Sequence, residues 1–328
     1  MKLNQLVPCD YDVEICGLSA DSREIRPGFL FGSLNGSQYL ESAINNGAAA
    51  VIVPKNDDTA VKAGIAAIPA ANPNLLFARA AAKFYGGQPE HICAITGTNG
   101  KTSIADFIRQ ILTMMGKKAA SMGTLGLIKG TEAPIPSPNT TPNAVTVQRE
   151  LSELKNEGYE YVAMEMSSHG LAQYRVGGVK VNVAGFTNLT RDHLDYHKTF
   201  ENYLAAKMIL FTELLEEGGA AVLNADIEVY DRLKENCLRC GKRVISYGYN
   251  GKDIKLLKAT PQTHGQKLNI IYYGKELELD IPLAGEFQAM NILCALGMTA
   301  EITGNKDEVV KYLSLIHISE PTRPLYIS

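Results

Sequence analysis

The 328-residue sequence predicts an α/β fold with two domains, a small N-terminal α/β domain and a larger domain with a mostly parallel sheet. Short apolar runs alternate with stretches of helical apolar spacing, a pattern that places helices on both faces of a parallel sheet. The chain is long enough for two or three domains with sizeable cores. Gly86-Gly87-Gln88-Pro89 is typical of a linker, so we predict domains over residues 1–87 and 88–313.

The first domain is predicted to contain three strands and two helices. The strands are expected at 13–18, 28–34 and 49–53, and the helices at 39–46 and 74–85. Between the first two strands, Asp21-Ser22-Arg23 is a polar turn by composition.

The second domain is predicted from a longer alternation of the same two patterns. Strands are expected at 91–95, 161–164, 181–186, 220–224 and 243–247, and helices at 103–115, 144–157, 200–215, 227–235 and 287–302. A further apolar stretch covers 121–128. Two β-rich runs, 268–273 and 277–281, predict an antiparallel hairpin. From Ser314 onward the periodicity stops and two prolines occur, so we expect residues 314–328 to be a foreign or frame-shifted tail outside the fold.

Composition excludes several classes of partner. The formal net charge is −3 and no basic block occurs, which argues against nucleic acid. The N-terminus has no apolar segment typical of a secretory signal, and no apolar run reaches membrane-spanning length. We therefore expect a cytoplasmic protein with no membrane partner. We also expect a monomer.

The six cysteines are scattered and do not form a disulfide framework. Cys237 and Cys240 form a lone CxxC pair with no second ligand pair nearby. Ordinary reduced thiols at a helix end are therefore favoured over a zinc or redox site.

The central motif is Gly97-Thr98-Asn99-Gly100-Lys101-Thr102-Ser103, between the predicted strand 91–95 and a predicted helix. Glycines allow backbone N–H groups to close around phosphate oxygens, and a helix N-terminus favours their negative charge. Lys101 can reach the terminal phosphates and the Thr102 hydroxyl can bind magnesium. The general pattern has a glycine where this chain has Ile95. The alternative is a tight turn with an incidental lysine.

Two polar stretches lie at predicted strand ends, which is where open α/β sheets bind ligands. Asn139-Thr140-Thr141-Pro142 precedes a helix, and Thr140 or Thr141 could simply cap that helix. Glu165, in Glu165-Met166-Ser167-Ser168-His169-Gly170, could hold magnesium opposite Thr102 or could cap the next helix.

Two further stretches carry titratable groups. Thr190-Arg191-Asp192-His193-Leu194-Asp195-Tyr196-His197 follows a predicted strand. Polar clusters at this place are often plain loops, and His193 with two acids adds a metal or substrate role as the alternative. Lys207 lies in an otherwise apolar helical stretch, where a lysine commonly extends to solvent.

Together, the order and spacing of GTNGKTS, NTTP, EMSSHGLAQYRV, NLTRDHLDYH and ENYLAAK resemble the Mur ligase family, and within it the enzymes that add the third stem-peptide residue of peptidoglycan. The resemblance covers residues 1 to about 313. It implies an ATP-dependent amide ligase that joins lysine or meso-diaminopimelate to UDP-MurNAc-L-Ala-D-Glu through an acyl-phosphate. It also implies a C-terminal domain that this sequence lacks, so we expect the chain alone to be inactive.

The resemblance implies roles for individual residues. It assigns ATP binding to Gly97, Thr98, Asn99, Gly100, Lys101, Thr102, Ser103 and Asn291. It assigns binding of the UDP-MurNAc-dipeptide to Ser22, Asn139, Thr140, Thr141, Ser167, Gln173 and Arg175. Thr102 and Glu165 would hold one Mg²⁺, and His193 and a carbamylated Lys207 a second. Lys101, His193 and Lys207 would be catalytic.

The family usually has asparagine where this chain has Gln288, near the expected adenine contact. Two alternatives stay open at this stage. One is a non-catalytic fragment that binds nucleotide and UDP-sugar, and the other is a ligase related to folylpolyglutamate synthase.

Overall fold

The computed structural model describes residues 1–34, 37–56 and 64–316. The chain divides into two compact units. Unit 1 comprises Met1–Gln88, Pro142–Glu157 and Gly170–Val179, and unit 2 comprises Pro89–Thr141, Gly158–His169 and Lys180–Ser328. Two segments that the sequence predicts to belong to the larger domain are thus in unit 1. For the segment Pro142–Glu157 the reason is its apolar side, because Ala144 packs into the core of unit 1.

Unit 1 is built on a four-stranded parallel sheet in the order β1-β2-β3-β4. Its strands are β1 (Gly17–Ser19), β2 (Phe29–Gly32), β3 (Ala48–Pro54) and β4 (Ala66–Ala70), and its helices are α1 (Leu3–Leu6), α2 (Leu40–Asn45), α3 (Pro73–Tyr85) and α5 (Ala144–Asn156). The helix α3 begins where the Asn72 side chain accepts a hydrogen bond from the Leu75 N–H, and it ends at Gly86, whose φ is +81°. Its apolar side buries Phe77 under the sheet.

Unit 2 is built on a ten-stranded sheet in the order β14-β13-β12-β11-β10-β9-β5-β8-β6-β7. The strands are β5 (His91–Thr96), β6 (Ala119–Gly123), β7 (Gly126–Lys129), β8 (Tyr161–Glu165), β9 (Val181–Phe186), β10 (Leu215–Asn224), β11 (Arg243–Gly248), β12 (Ile254–Gln262), β13 (Gly265–Tyr272) and β14 (Lys275–Ile281). The seven strands from β12 to β6 run parallel, and β7, β13 and β14 are antiparallel to their neighbours.

The remaining helices follow the strands of this sheet or close the chain. They are α4 (Lys101–Met114), α6 (Ser168–Ala172), α7 (Leu194–His197), α8 (Phe200–Ile209), α9 (Tyr230–Arg239), α10 (Glu286–Thr303) and α11 (Lys306–Val310). The helices α4 and α10 bury almost all of their apolar residues in one continuous core with the sheet. This α/β architecture with a mostly parallel, helix-flanked sheet confirms the predicted fold class.

Several predicted elements differ from the observed ones. The apolar stretch 121–128 is a β-hairpin, β6–β7, and the strands β4 and β12 were not predicted. The predicted helix 200–215 is α-helical over Phe200–Ile209 and continues as a π-helical turn over Leu210–Leu214, so it ends within one residue of its predicted bound, where β10 begins. No helix in the described part of the chain is long and apolar enough to cross a membrane.

The expectation that the tail lies outside the fold does not hold at Ile316, whereas the foreign or frame-shifted origin of the tail stays a prediction. A 3₁₀ turn covers Leu313–Leu315, and the Ile316 side chain is fully buried in the core of unit 2. Apolar burial therefore continues past the point where helical periodicity ends. The rest of the predicted tail, 317–328, lies outside the described residues.

Candidate functional site

The predicted phosphate loop connects β5 to α4. Gly97 has a φ of +143° and Gly100 a φ of +88°, conformations that side chains rarely adopt. A Cβ atom at Gly97 would collide with the Thr187 hydroxyl, and one at Gly100 would collide with the Asn291 carboxamide. Glycine is required at both positions, and α4 begins directly afterwards at Lys101. Its first N–H groups have no intrahelical acceptors and can bind an anion.

Lys101 folds back over this loop. Its Nζ donates hydrogen bonds to the carbonyl oxygens of Gly97, at 3.0 Å, and Thr98, at 2.8 Å. Burial lowers the pKa of Lys101, and the negative charges of Glu165 and Asp192 partly oppose that effect. The ammonium group is therefore already positioned above the loop.

Thr102, in the first turn of α4, lies in direct contact with Glu165, the last residue of β8. The Thr102 hydroxyl donates to Glu165 Oε2 at 2.9 Å, and the Thr124 N–H donates to Oε1 at 2.7 Å. Only 3% of Glu165 is exposed, and burial raises the pKa of its carboxyl group although these hydrogen bonds oppose the shift. Thr124 was not predicted. The β6–β7 turn that contains it was not predicted either.

Lys207 is buried rather than extended to solvent, with 1% of the residue exposed. Its Nζ donates to the Gly97 carbonyl at 2.8 Å and lies 4.4 Å from the centre of the Tyr203 ring. Burial lowers the pKa of Lys207 to about 6, and the nearby Lys101 charge contributes to the shift. Lys101 and Lys207 thus share one carbonyl acceptor on the phosphate loop.

His193 lies at the start of α7 in a left-handed conformation, with φ +53°. Its ring is exposed and packs edge-on against His169 at 4.8 Å between centroids, and its Nε2 is 3.5 Å from Asp192 Oδ2. The Tyr203 ring is 6.3 Å from the His193 ring and also covers Lys207. Among the described residues, no group of three or more His, Cys, Asp or Glu side chains is arranged to hold a metal ion.

A cavity adjoins the loop on the side of α10. Its lining includes Asn99, Gly100, Tyr247, Phe287 and Asn291. This places the predicted adenine contact, Asn291, beside the phosphate loop. The Asn291 carboxamide donates to Gln288 Oε1 at 3.1 Å, so the residue that departs from the family pattern still contacts Asn291.

The predicted substrate residues fall in both units. Ser22, Gln173 and Arg175 belong to unit 1, where Arg175 Nε donates to Gln173 Oε1 at 2.9 Å. Asn139, Thr140, Thr141 and Ser167 belong to unit 2.

Thr141 is buried and links two backbone segments of unit 2. Its hydroxyl donates to the Glu165 carbonyl at 3.2 Å and accepts from the Ser167 N–H at 3.0 Å. The alternative that Thr140 or Thr141 caps the next helix is wrong, because Asn143 caps α5 through the Thr146 N–H.

Residues 95–299 match the Mur ligase middle domain. The chain is 40% identical over 319 residues to the UDP-N-acetylmuramoyl-L-alanyl-D-glutamate--2,6-diaminopimelate ligase of Caulobacter vibrioides, covering 94% of this chain and 65% of that protein. It is 40% identical over 334 residues to the ligase of the same name from Bradyrhizobium diazoefficiens, covering 97% of this chain and 68% of that protein.

A solved structure of a ligase with this name superimposes with a TM-score of 0.83 at 25% identity, covering 98% of this chain and 67% of the other. The chain spans 58% to 68% of the length of the first three curated relatives. The family match covers more than half of the sequence and includes the phosphate loop, Glu165, His193 and Lys207. The chain therefore belongs to the Mur ligase family.

Proposed function

We propose that this chain forms the nucleotide- and UDP-MurNAc-dipeptide-binding part of an ATP-dependent amide ligase of peptidoglycan biosynthesis. The observation that carries the proposal is the contact of Thr102 with Glu165 at the base of a glycine loop that also holds Lys101. The relatives are named as 2,6-diaminopimelate ligases, which favours diaminopimelate over lysine as the amino acid added. Because the reaction consumes ATP and a UDP-linked precursor, we expect it to take place in the cytoplasm.

In this proposal the phosphate loop, residues 97–103, binds the phosphates of ATP. The N-terminus of α4 offers N–H donors and partial positive charge, and Lys101 Nζ leaves its two loop carbonyls to contact the terminal phosphates. The base would occupy the cavity beside Asn291.

The oxygen atoms of Thr102 and Glu165 fit a magnesium site. Mg²⁺ prefers oxygen ligands and commonly takes one or two from the protein and the rest from phosphates and water. A hydroxyl and a buried carboxylate 2.9 Å apart supply that protein share. When bound, Mg²⁺ would neutralise charge on the phosphate oxygens.

We further propose that Lys207 is carbamylated and, with His193, holds a second Mg²⁺. Its nitrogen would attack CO₂ as the neutral amine and release a proton to solvent, leaving an N-carboxylate anion. The support is the burial of Lys207 beside another lysine, where an uncharged or anionic group is favoured over an ammonium. His193 is on the adjoining segment, and the Tyr203 ring lies 6.3 Å from the His193 ring and 4.4 Å from Lys207 Nζ.

The chemistry would proceed in two displacements. The D-Glu carboxylate attacks the γ-phosphorus of ATP and ADP leaves, which gives an acyl-phosphate. The amine of the incoming amino acid then attacks the acyl carbon, and phosphate leaves after proton loss, which gives the amide. The task of Lys101 is to stabilise charge on the transferred phosphoryl group, so positioning and charge neutralisation dominate.

We propose that the dipeptide substrate contacts Ser22, Asn139, Thr140, Thr141, Ser167, Gln173 and Arg175. Thr141 and Ser167 would act mainly through the backbone geometry that they stabilise next to Glu165, since the Thr141 hydroxyl is already engaged twice. Arg175 supplies a cation suited to a carboxylate or a diphosphate.

Calorimetric titration of this chain tests the proposal. Mg·ATP and UDP-MurNAc-L-Ala-D-Glu should each bind, and a folate substrate should not. Binding of folate without the UDP-dipeptide would favour the folylpolyglutamate synthase alternative. For the carbamate, ¹³C-labelled bicarbonate should give an additional carbonyl resonance that is absent from Lys207→Ala. An unchanged spectrum in that variant would refute the modification.

A further inference from the structure

The peptide groups at the tip of the phosphate loop are held by two side chains from another strand end. The Asn99 N–H donates to Asn188 Oδ1 at 2.9 Å. The Asn99 carbonyl accepts from the Thr187 hydroxyl at 2.6 Å and from Asn188 Nδ2 at 3.2 Å. Both residues directly follow β9, the strand beside β5.

Contacts from the same segment also hold the preceding loop residue. The Thr98 N–H donates to the Asn188 carbonyl at 2.9 Å, and the Thr98 hydroxyl accepts from the Thr190 N–H at 3.0 Å. The loop lies between a strand and a helix, so no regular ladder supplies partners for these peptide groups. The segment after β9 supplies them instead.

This segment is itself anchored to the next strands of the sheet. The Asn224 carboxamide, at the end of β10, donates to the Thr187 carbonyl at 2.8 Å. The Tyr247 hydroxyl, on β11, donates to the Phe186 carbonyl at 3.2 Å. Thr187 and Asn224 are buried, so these hydrogen bonds are shielded from competing water. The conformation of the loop is thus determined by three strands beyond its own.

We propose that Asn188, together with Thr187, is a positioning residue that fixes the phosphate loop for nucleotide binding. The proposal rests on the nucleotide-binding function proposed above. Asn188 accepts a hydrogen bond from the N–H of Asn99 and donates one to its carbonyl, and a carboxamide carries both the acceptor and the donor that these two contacts need. Holding Asn99 in this way orients the N–H groups at the start of α4 before the nucleotide arrives, and this reduces the ordering cost of binding.

The test compares two asparagines of the same strand region. Asn188→Ala should weaken binding of Mg·ADP to the chain by about tenfold or more, since it removes two hydrogen bonds. The control is Asn182→Ala. Asn182 Oδ1 also accepts from a β5 N–H, that of Ile92 at 2.7 Å, but it lies at the other end of β9. This control should leave the dissociation constant of Mg·ADP unchanged, whatever it does to the melting temperature.

A second pair of variants keeps the test decisive if Asn188→Ala does not fold. Thr187→Val removes the hydroxyl and keeps a side chain of similar shape, so it should weaken Mg·ADP binding several-fold. Thr187→Ser keeps a hydroxyl and should bind Mg·ADP as the parent does. If Asn188→Ala and Thr187→Val bind Mg·ADP as the parent does, the positioning role is wrong.

Hydrogen exchange separates this inference from the proposed function. In the nucleotide-free chain, Asn188→Ala should speed exchange of the amide hydrogens of Thr98 and Asn99 relative to Asn182→Ala. If the parent binds no nucleotide but these amides still lose protection, the nucleotide function fails and the control of the loop by Asn188 stands. If their exchange is unchanged, the inference fails independently of the ligand.

Discussion

Replacing Lys101 with alanine tests the proposed function at its centre. The Lys101 ammonium donates to the carbonyls of Gly97 and Thr98 and lies above the loop that would hold the phosphates. The variant removes the one loop side chain that carries a positive charge and keeps both glycines. We therefore expect weaker binding of Mg·ATP and Mg·ADP without loss of the fold.

The size of the effect follows from the contacts exchanged on binding. A hydrogen bond that involves a charged group contributes about 1.5–3 kcal/mol, which corresponds to roughly 10- to 150-fold in affinity. The lower part of this range applies here, because Lys101 must release two carbonyl contacts before it reaches a phosphate. The Gly97 carbonyl keeps a donor in the variant, since Lys207 also contacts it. The stability loss should therefore be modest.

Titration calorimetry with Mg·ADP, together with thermal melting, measures both quantities. Lys242→Ala is the matched control, because Lys242 is another largely buried lysine whose Nζ donates to a backbone carbonyl, that of Leu215, at 2.6 Å. It should lower the melting temperature and leave nucleotide affinity unchanged. If Lys101→Ala binds Mg·ADP as tightly as the parent, the interpretation of the glycine loop as a phosphate site is wrong.

Three further outcomes are expected. Glu165→Gln should abolish most of the gain in ADP affinity that Mg²⁺ provides, because an amide is a poorer magnesium ligand than a carboxylate. Titrations of ADP with and without Mg²⁺ measure this gain, and an undiminished gain in the variant would contradict the prediction. Ile316→Ala should lower the free energy of unfolding by about 2–5 kcal/mol, whereas Leu315→Ala, at an exposed neighbour, should change it little in denaturant titrations; equal effects would contradict the burial of Ile316. At pH 8 an alkylating reagent should label the exposed Cys16 and not Cys237, because burial raises the pKa of Cys237 to about 12 and keeps the thiol protonated; rapid labelling of Cys237 in the native chain would reopen a redox role.

Elements with strong periodicity were predicted close to their observed bounds. The strand β9 was predicted with its observed limits, and α10 and α3 to within one residue at each end, because their apolar spacing is sustained and their ends carry glycine or asparagine. The strand β4 was missed because Ala66–Ala70 is short and alanine-rich, which gives little β signal. The helix predicted over 200–215 is helical to Leu214, but the change from α-helix to π-helix after Ile209 was not predicted.

The residues of the candidate site that belong to sequence motifs were predictable, and the contacts between distant parts of the chain were not. The glycine loop, Thr102 and Glu165 follow strand ends that the alternation already places at one edge of the sheet. The burial of Lys207 could not be read from its helix alone, because its acceptor, Gly97, is 110 residues away in the chain. The contacts of Asn188 with Asn99 span 89 residues and involve the backbone of Asn99, so side-chain patterns do not reveal them.

The strand β14 bears on how this protein behaves at high concentration. Among the described residues it is the outermost strand at one end of the large sheet, and such a strand exposes backbone groups that can pair with a second molecule. Its sequence, Lys-Glu-Leu-Glu-Leu-Asp-Ile, places charged side chains at its solvent-exposed positions and apolar ones toward the core. When two copies of β14 approach each other, repulsion between their acidic side chains opposes edge-to-edge association. Replacing Glu276, Glu278 and Asp280 with neutral β-branched residues would favour self-association through this edge without altering the core beneath it.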